Sequence, residues 1–555
     1  MKRDGNQAVR KSVGARRRPL TVNGVEFSPS PCGRGVGVRA WAPHACDRLV
    51  GTSGASALTL PSPTGRGFLI STALPLAVAL WLALGATAQA AQDTITNYGY
   101  DAQGNLKTLT DPRGLVTTYD YDALNRAYRR IDPPATAGAA QPAETTGFDG
   151  LDQVLSVTDP RNLVTRYTVD GLGKLTQQQS PDSGTTASTY DESGLLKTRT
   201  DARGKVSTYS YDALDRVARI SYPTGTASVF EYDGGAAPQA YDLGHLTQIT
   251  DESGSTRLNY DAFGHVVKKT QITGSGTAAK THVLNYAYNT KGQLATLTYP
   301  SGNAISYGYD LAGHIASLSL RQTSGGVVLT RTLISTITYT PFGAPTGWRW
   351  GNGAAYVRTI DLDGRVSQYP LGKIAAPATP GALTRTVHYD PASRIQDYSH
   401  ADSAGSTTSA LATSANQVFS FDDLNRLTGY SAAATGESYG YDLTGNRTLF
   451  SADTYVIDSL SNQLDSTYGA SPAKTNLYDP AGNLTGDGTD AYSYSDRGRL
   501  ATATVAGNTV TYAYNGLGQR VLKTGPATVV PTGTVRYRTT RADICSGNTT
   551  AAARS

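Results

Sequence analysis

From Asn97 to Lys523 the chain alternates apolar and polar residues over short stretches, and turn-forming residues interrupt it every ten or eleven positions. Segments such as "LVTTYDY" (Leu115–Tyr121) and "KVSTYSY" (Lys205–Tyr211) put two tyrosines on one face with Asp or Ser between them. Alternation with period two predicts strands with one better-packed face. No 3.6-residue stripe persists through the punctuation, which excludes a helical body.

The interruptions are of two kinds. The first is an aromatic residue followed by Asp, repeated with variations sixteen times and commonly 19 to 21 residues apart. Its clearest copies are Tyr100-Asp101 with Gly104, Tyr121-Asp122 with Asn125, Tyr190-Asp191 with Gly194, and Tyr211-Asp212 with Asp215. Four more are Tyr260-Asp261 with Gly264, Tyr309-Asp310 with Gly313, Tyr441-Asp442 with Gly445, and Tyr478-Asp479 with Gly482. The aromatic residue ends a strand, and the Asp carboxylate accepts from backbone N–H groups one or two residues on. Gly, Asn or Asp three residues later (Ser393 in one copy) supplies the positive φ of a type I turn followed by a left-handed residue and a bulge. Each copy is therefore a hairpin corner. The second kind lies midway between corners: "DPRG" at Asp111, "DPRN" at Asp159, "DARG" at Asp201 and "DESG" at Asp251.

Together they predict an all-β body, a long antiparallel meander. One sheet of so many strands cannot stay flat, so it must wind into a curved or hollow β-shell. The chain holds 34 Tyr against 9 Phe. That excess suits a face that is packed but wet, because each hydroxyl needs a partner.

Upstream of the body the pattern changes. Phe68–Ala88 is free of charge, follows Arg66 and leads into "ATAQAAQD", which predicts an apolar helix serving as a signal peptide cleaved after Ala90. The alternative is a retained membrane helix, since 68–88 is just long enough to span a bilayer. Residues 1–67 form a basic leader in which "SPSPCGRG" and "LPSPTGRG" echo one another, and a true start near Gly67–Ile70 is expected. The division is thus leader 1–67, signal or anchor 68–90, β-body 91–524 and an unstructured or frameshifted tail 525–555.

Charge and cysteine then remove several functions. Residues 1–90 hold 11 Lys and Arg against 3 Asp and Glu, which leaves 38 against 41 for the remainder. The net charge of +5 belongs to the leader, so the body offers no nucleic-acid surface. Cys32, Cys46 and Cys545 lie outside the body, which uses neither disulfides nor thiolate metal sites.

The recurring Tyr-Asp corners resemble those of the Rhs/YD family, over roughly Asn97 to Lys523, and "PFGAPTGWRWGNG" (Pro341–Gly353) with "DLDGRVSQYPLG" (Asp361–Gly372) is similar to segments of bacterial Rhs proteins. The resemblance implies a shell of wound β-sheet that encloses a C-terminal toxin and carries it to a neighbouring cell. Complete members end in a core-associated segment and a toxin, and the tail after Lys523 matches neither, which implies a truncated form. An exported location follows: periplasm, cell surface or exterior. The partners implied are an encapsulated toxin encoded downstream or, for an adhesin of the same architecture, surface glycans.

No motif displaces this reading. "DPRGL" (Asp111–Leu115) has the letters of the family's cleavage motif but occupies a midway turn. "GESYG" around Ser438 has the letters of a nucleophile elbow but leads into the corner at Tyr441 rather than a helix. His245, His265 and His314 fill a slot that elsewhere holds Asn, Gln or Arg, which does not select imidazole. Calcium at the Asp-rich corners is the remaining alternative to simple turn capping. The expectation is a protein without catalytic residues, cofactor or metal.

Overall fold

A computed structural model describes residues 94–324, 327–372, 382–433, 435–530 and 534–537. The leader, the apolar segment 68–90 and the cleavage point at Ala90 lie outside the described residues. What is described is nearly all-β, 54% strand and 2% helix, from Asn97–Tyr100 to Thr534–Arg536. With two exceptions, each described strand pairs antiparallel with its neighbour in sequence, as Asn97–Tyr100 does with Leu106–Thr110 and the latter with Val116–Tyr121.

The strands fall into sheets of 23, 11 and 7, yet the breaks are single residues. Ala355–Val357 and Thr359–Ile360 are separated only by Arg358, whose N–H still donates to Thr346 O at 2.8 Å. Lys474–Thr475 and Leu477–Tyr478 are separated only by Asn476, whose N–H donates to Asp465 O at 2.7 Å. The described body is therefore one ribbon with two one-residue interruptions, and its sheets do not close into a barrel.

Hairpin turns line both edges of the ribbon, corners on one and midway turns on the other. The ribbon winds, because midway turns near the start touch corners about 300 residues later, as Arg113 does Asp423. Small apolar clusters serve as the core: Leu258, Val266, Leu284, Tyr286 and Leu297 form one, and Ile220, Phe230 and Ile249 another.

Residues 525–530 and 534–537 belong to the tail set apart on sequence, but they carry structure. Thr534–Arg536 pairs with Arg520–Thr524, and Val530 is fully buried. The short "TVRY" alternation suffices because a strand edge is already there to receive it.

Candidate functional site

The repeated corner is the first unit of the site. Asp101 Oδ1 accepts from Gln103 N–H at 3.0 Å and Asn105 N–H at 2.8 Å, while Asp101 N–H and Asn105 O close the hairpin at 2.9 Å. Asp122, Asp212, Asp261, Asp442 and Asp479 repeat the arrangement, and Asp191 and Asp310 keep its contact with the fourth residue on. Positive φ falls on Gly104, Asn125, Gly194, Asp215, Gly264, Gly313, Gly445 and Gly482. The N–H of Arg126 chiefly holds the Asp122 carboxyl below its usual range, against desolvation, with the Arg126 side chain and the Leu124 N–H adding to it.

The residue after that positive-φ position performs a second task. Its side chain donates back to the free oxygen of its own Asp: Arg126 Nε to Asp122 at 2.7 Å, Asn446 to Asp442 at 2.9 Å, His265 Nδ1 with Asp261 at 3.0 Å. It also reaches the next corner. Arg126 donates to Asp149 O, Lys174 to Gly194 O, Gln293 to Gly313 O, and Arg426 to Asp442 O. The same side chain covers the next corner's ring. Arg216 lies 4.2 Å over Tyr232, and His245, His265 and His314 stack on Tyr260, Tyr288 and Tyr339. The slot thus favours an N–H donor of some reach, and His265 and His314 serve as part of the ladder.

The hydroxyl of each corner tyrosine completes the link. Tyr121 donates to Leu106 O, Tyr190 to Leu175 O, Tyr211 to Leu196 O and Tyr260 to Leu246 O. Tyr309, Tyr441 and Tyr478 do the same with Leu294, Leu427 and Leu464. Tyr100, at the first corner, stands exposed. Burial raises the hydroxyl pKa of Tyr211 and Tyr309, so the donor stays protonated. Tyr outnumbers Phe because the bond runs from one corner to the one before it.

Midway turns use the same backbone but turn their donor outward. Asp111 Oδ1 accepts from Arg113 N–H and Leu115 N–H, and Arg113 Nη2 reaches both Asp111 Oδ2 at 2.6 Å and Asp423 O at 3.1 Å. Arg161 donates to Asp458 O at 2.7 Å and Ser461 O at 2.6 Å, and Arg203 to Ser495 O at 3.0 Å. Carboxylates fill the intervals: Asp182 Oδ1 accepts from Asn462 N–H at 2.7 Å, Asp496 Oδ2 from Thr224 N–H at 2.8 Å, and Asp251 Oδ2 from Gly516 N–H at 2.6 Å. Burial raises the pKa of Asp251 despite the N–H groups of Ser253 and Gly516.

These contacts form a seam between successive windings, closed by hydrogen bonds spanning 265 to 310 residues. Glycine is needed where backbones meet. A Cβ on Gly482 would lie 2.2 Å from Asp182 O, and one on Gly516 2.6 Å from Ile249 Cγ2. Beside the seam lies a cavity of about 490 Å³, lined by Asp111, Arg113, Asp159, Asp182, Arg426 and Asn462 among others.

Ser438 sits within the strand Thr435–Tyr441, opposite Gly429, and has no helix after it. Among the described residues, no group of three or more His, Cys, Asp or Glu is arranged to hold a metal ion. None of the described helices is long and apolar enough to cross a membrane.

The fold and its site define a class: a wound β-ribbon wall built from Tyr-Asp corners. The RHS Repeat family model matches residues 100–132, 190–227, 241–278 and 288–327. Those four stretches are RHS repeats, and the chain as a whole resembles the Rhs/YD-repeat family. It is 26% identical over 218 residues to the Double-stranded DNA deaminase toxin A of Burkholderia cenocepacia (strain H111), covering 37% of this chain and 13% of that protein. Its fold is similar to the crystal structure of TcdB2-TccC3, with a TM-score of 0.64 at 15% identity over 81% of this chain and 27% of that one. It is likewise similar to the Photorhabdus luminescens Tc holotoxin pore, with a TM-score of 0.65 at 16% identity over 80% and 26%. The chain spans about a quarter of the length of these solved structures.

Proposed function

We propose that the chain is a non-enzymatic, exported wall protein whose wound ribbon encloses a toxin polypeptide used between competing cells. The seam carries this reading: a sheet that bonds to itself one winding later makes a continuous partition. The corners and midway turns spend their polar groups on that bonding. The toxin named for the Burkholderia relative and the toxin-complex neighbours support the same cargo class. Export rests on the apolar segment 68–90, with the product in the periplasm, at the cell surface or outside. The cargo we propose is a toxin polypeptide encoded downstream.

The test is co-expression with the polypeptide encoded immediately downstream, followed by limited proteolysis. Encapsulation predicts co-purification and a cargo that survives protease until the wall is denatured. A downstream polypeptide digested as fast with the wall as without it overturns the proposal. A second reading, glycan binding, draws on one aromatic cluster: Trp348 stacks on Tyr356 at 4.1 Å, and Trp350 beside it is 43% exposed. Glycan-array binding lost on Trp350→Ala would favour it.

A further inference from the structure

Along the corner edge the turn tips divide into two populations. From Asp101 to Gly364 they stand in solvent, and Leu124, Leu172, Leu214, Phe263, Leu311 and Phe342 among them are 62% to 99% exposed. From Asp390 the tips come under the midway turns of the first winding, and most of them are no longer exposed. Leu517 shows what such a tip does when covered, because it packs against the cluster of Ile220, Phe230 and Ile249. The bare stretch matches the winding period of 265 to 310 residues. The bare corners therefore make about one circuit, a rim rich in apolar tips along one edge of the described ribbon.

We propose that this rim is a self-association surface, on which two copies of the chain meet rim to rim about a two-fold axis. The surface continues the seam, where the ribbon itself covers the same tip positions. Head-to-tail stacking lacks the seam's chemistry. The donors Arg113, Arg161 and Arg203 are already engaged, and the free midway turns Tyr299–Gly302 and Trp350–Gly353 carry no arginine. A two-fold axis instead sets one apolar row against an identical row, which is complementary by construction. Each buried tip removes roughly 60–120 Å² from water. With Leu151, Leu243 and Leu362 the row offers roughly 500–1,100 Å² per copy, which brackets the ~800 Å² per partner of a standard interface. The inference does not depend on what the wall encloses.

The test is light scattering and sedimentation of the whole chain across micromolar concentrations, for wild type and for Leu214→Asp/Phe263→Asp/Leu311→Asp. The three side chains project from turns into solvent, so circular dichroism and the melting temperature should not change. The proposal predicts a concentration-dependent wild-type dimer that the triple variant weakens at least ~100-fold. Leu329→Asp, on the opposite edge, should leave the dimer intact. A wild type that stays monomeric overturns the proposal, and so does a dimer indifferent to the triple variant. So do open-ended oligomers dissolved by Leu329→Asp, or rim-dependent flotation with phosphatidylcholine vesicles.

Discussion

Replacing Arg203 by Ala separates the seam from the strands that carry it. The guanidinium donates to Ser495 O at 3.0 Å and Asp496 O at 3.4 Å, and pairs with Asp201 at 2.6 Å, while only 10% of the side chain is exposed. Hydrogen bonds to a charged group contribute about 1.5–3 kcal/mol each. The 3.4 Å contact is weak, so the loss should be about 2–3 kcal/mol, concentrated where the two windings meet. The reporter is Thr224 N–H, held by Asp496 Oδ2 in the adjacent seam contact. A seam weakened by that amount opens ~30–150 times more often, since 1.4 kcal/mol is tenfold. Hydrogen–deuterium exchange at Thr224 should accelerate accordingly, while the paired strands Leu196–Thr200 and Val206–Tyr211 keep their protection. As a control, Lys107→Ala breaks a more exposed, solvent-screened pair with Asp120 and should leave both the stability and the Thr224 exchange close to wild type. Exchange at Thr224 as in wild type, or an equal loss of protection in the strands, would show that Arg203 does not hold the seam in this way.

Three further outcomes are expected. Tyr309→Phe removes the hydroxyl bond to Leu294 O and should cost about 1 kcal/mol in denaturant titrations, whereas Phe421→Tyr should gain up to that amount. Gly516→Ala should loosen the seam by about 1–3 kcal/mol, because the new methyl meets Ile249, and exchange at Gly516 and Thr224 should rise together. Acid acts with opposite signs at two places. The lowered carboxyls of Asp122 and Asp212 contribute stability that is present above 3.8 and lost as pH falls through their folded values. Asp251 is raised, so its own contribution falls as pH rises from 3.8 through its folded value. The stability of Asp251→Asn relative to wild type should therefore be higher at pH 7 than at pH 4 in parallel urea titrations.

The corners were legible because their cause is local. Asp101, Asn105 and Gly104 are adjacent, and turn chemistry alone dictates their types. The donor slot reads from sequence only as one that does not select imidazole, since its purpose becomes visible only when the next corner is placed beside it. A signal was present: of sixteen slots, all but Leu195 hold Asn, Arg, Gln, Lys or His, each an N–H donor. The tyrosine excess was noticed, but its hydroxyls were assigned to a wet face rather than to the preceding corner. The seam was out of reach, because nothing near Arg113 in the sequence indicates Asp423. Its letters, "DPRG", instead suggested a cleavage motif.

The seam also sets how such a chain can change length. Arg113, Arg161 and Arg203 meet corners at Asp423, Asp458–Ser461 and Ser495, so each contact depends on the number of hairpins wound between the partners. Deleting one whole hairpin between Gly204 and Asp390 keeps every local bond yet shifts all three arginines onto the wrong corner. Gain or loss of repeats in this stretch must therefore come with a matching change elsewhere in the circuit, and the circumference is inherited as a count of turns.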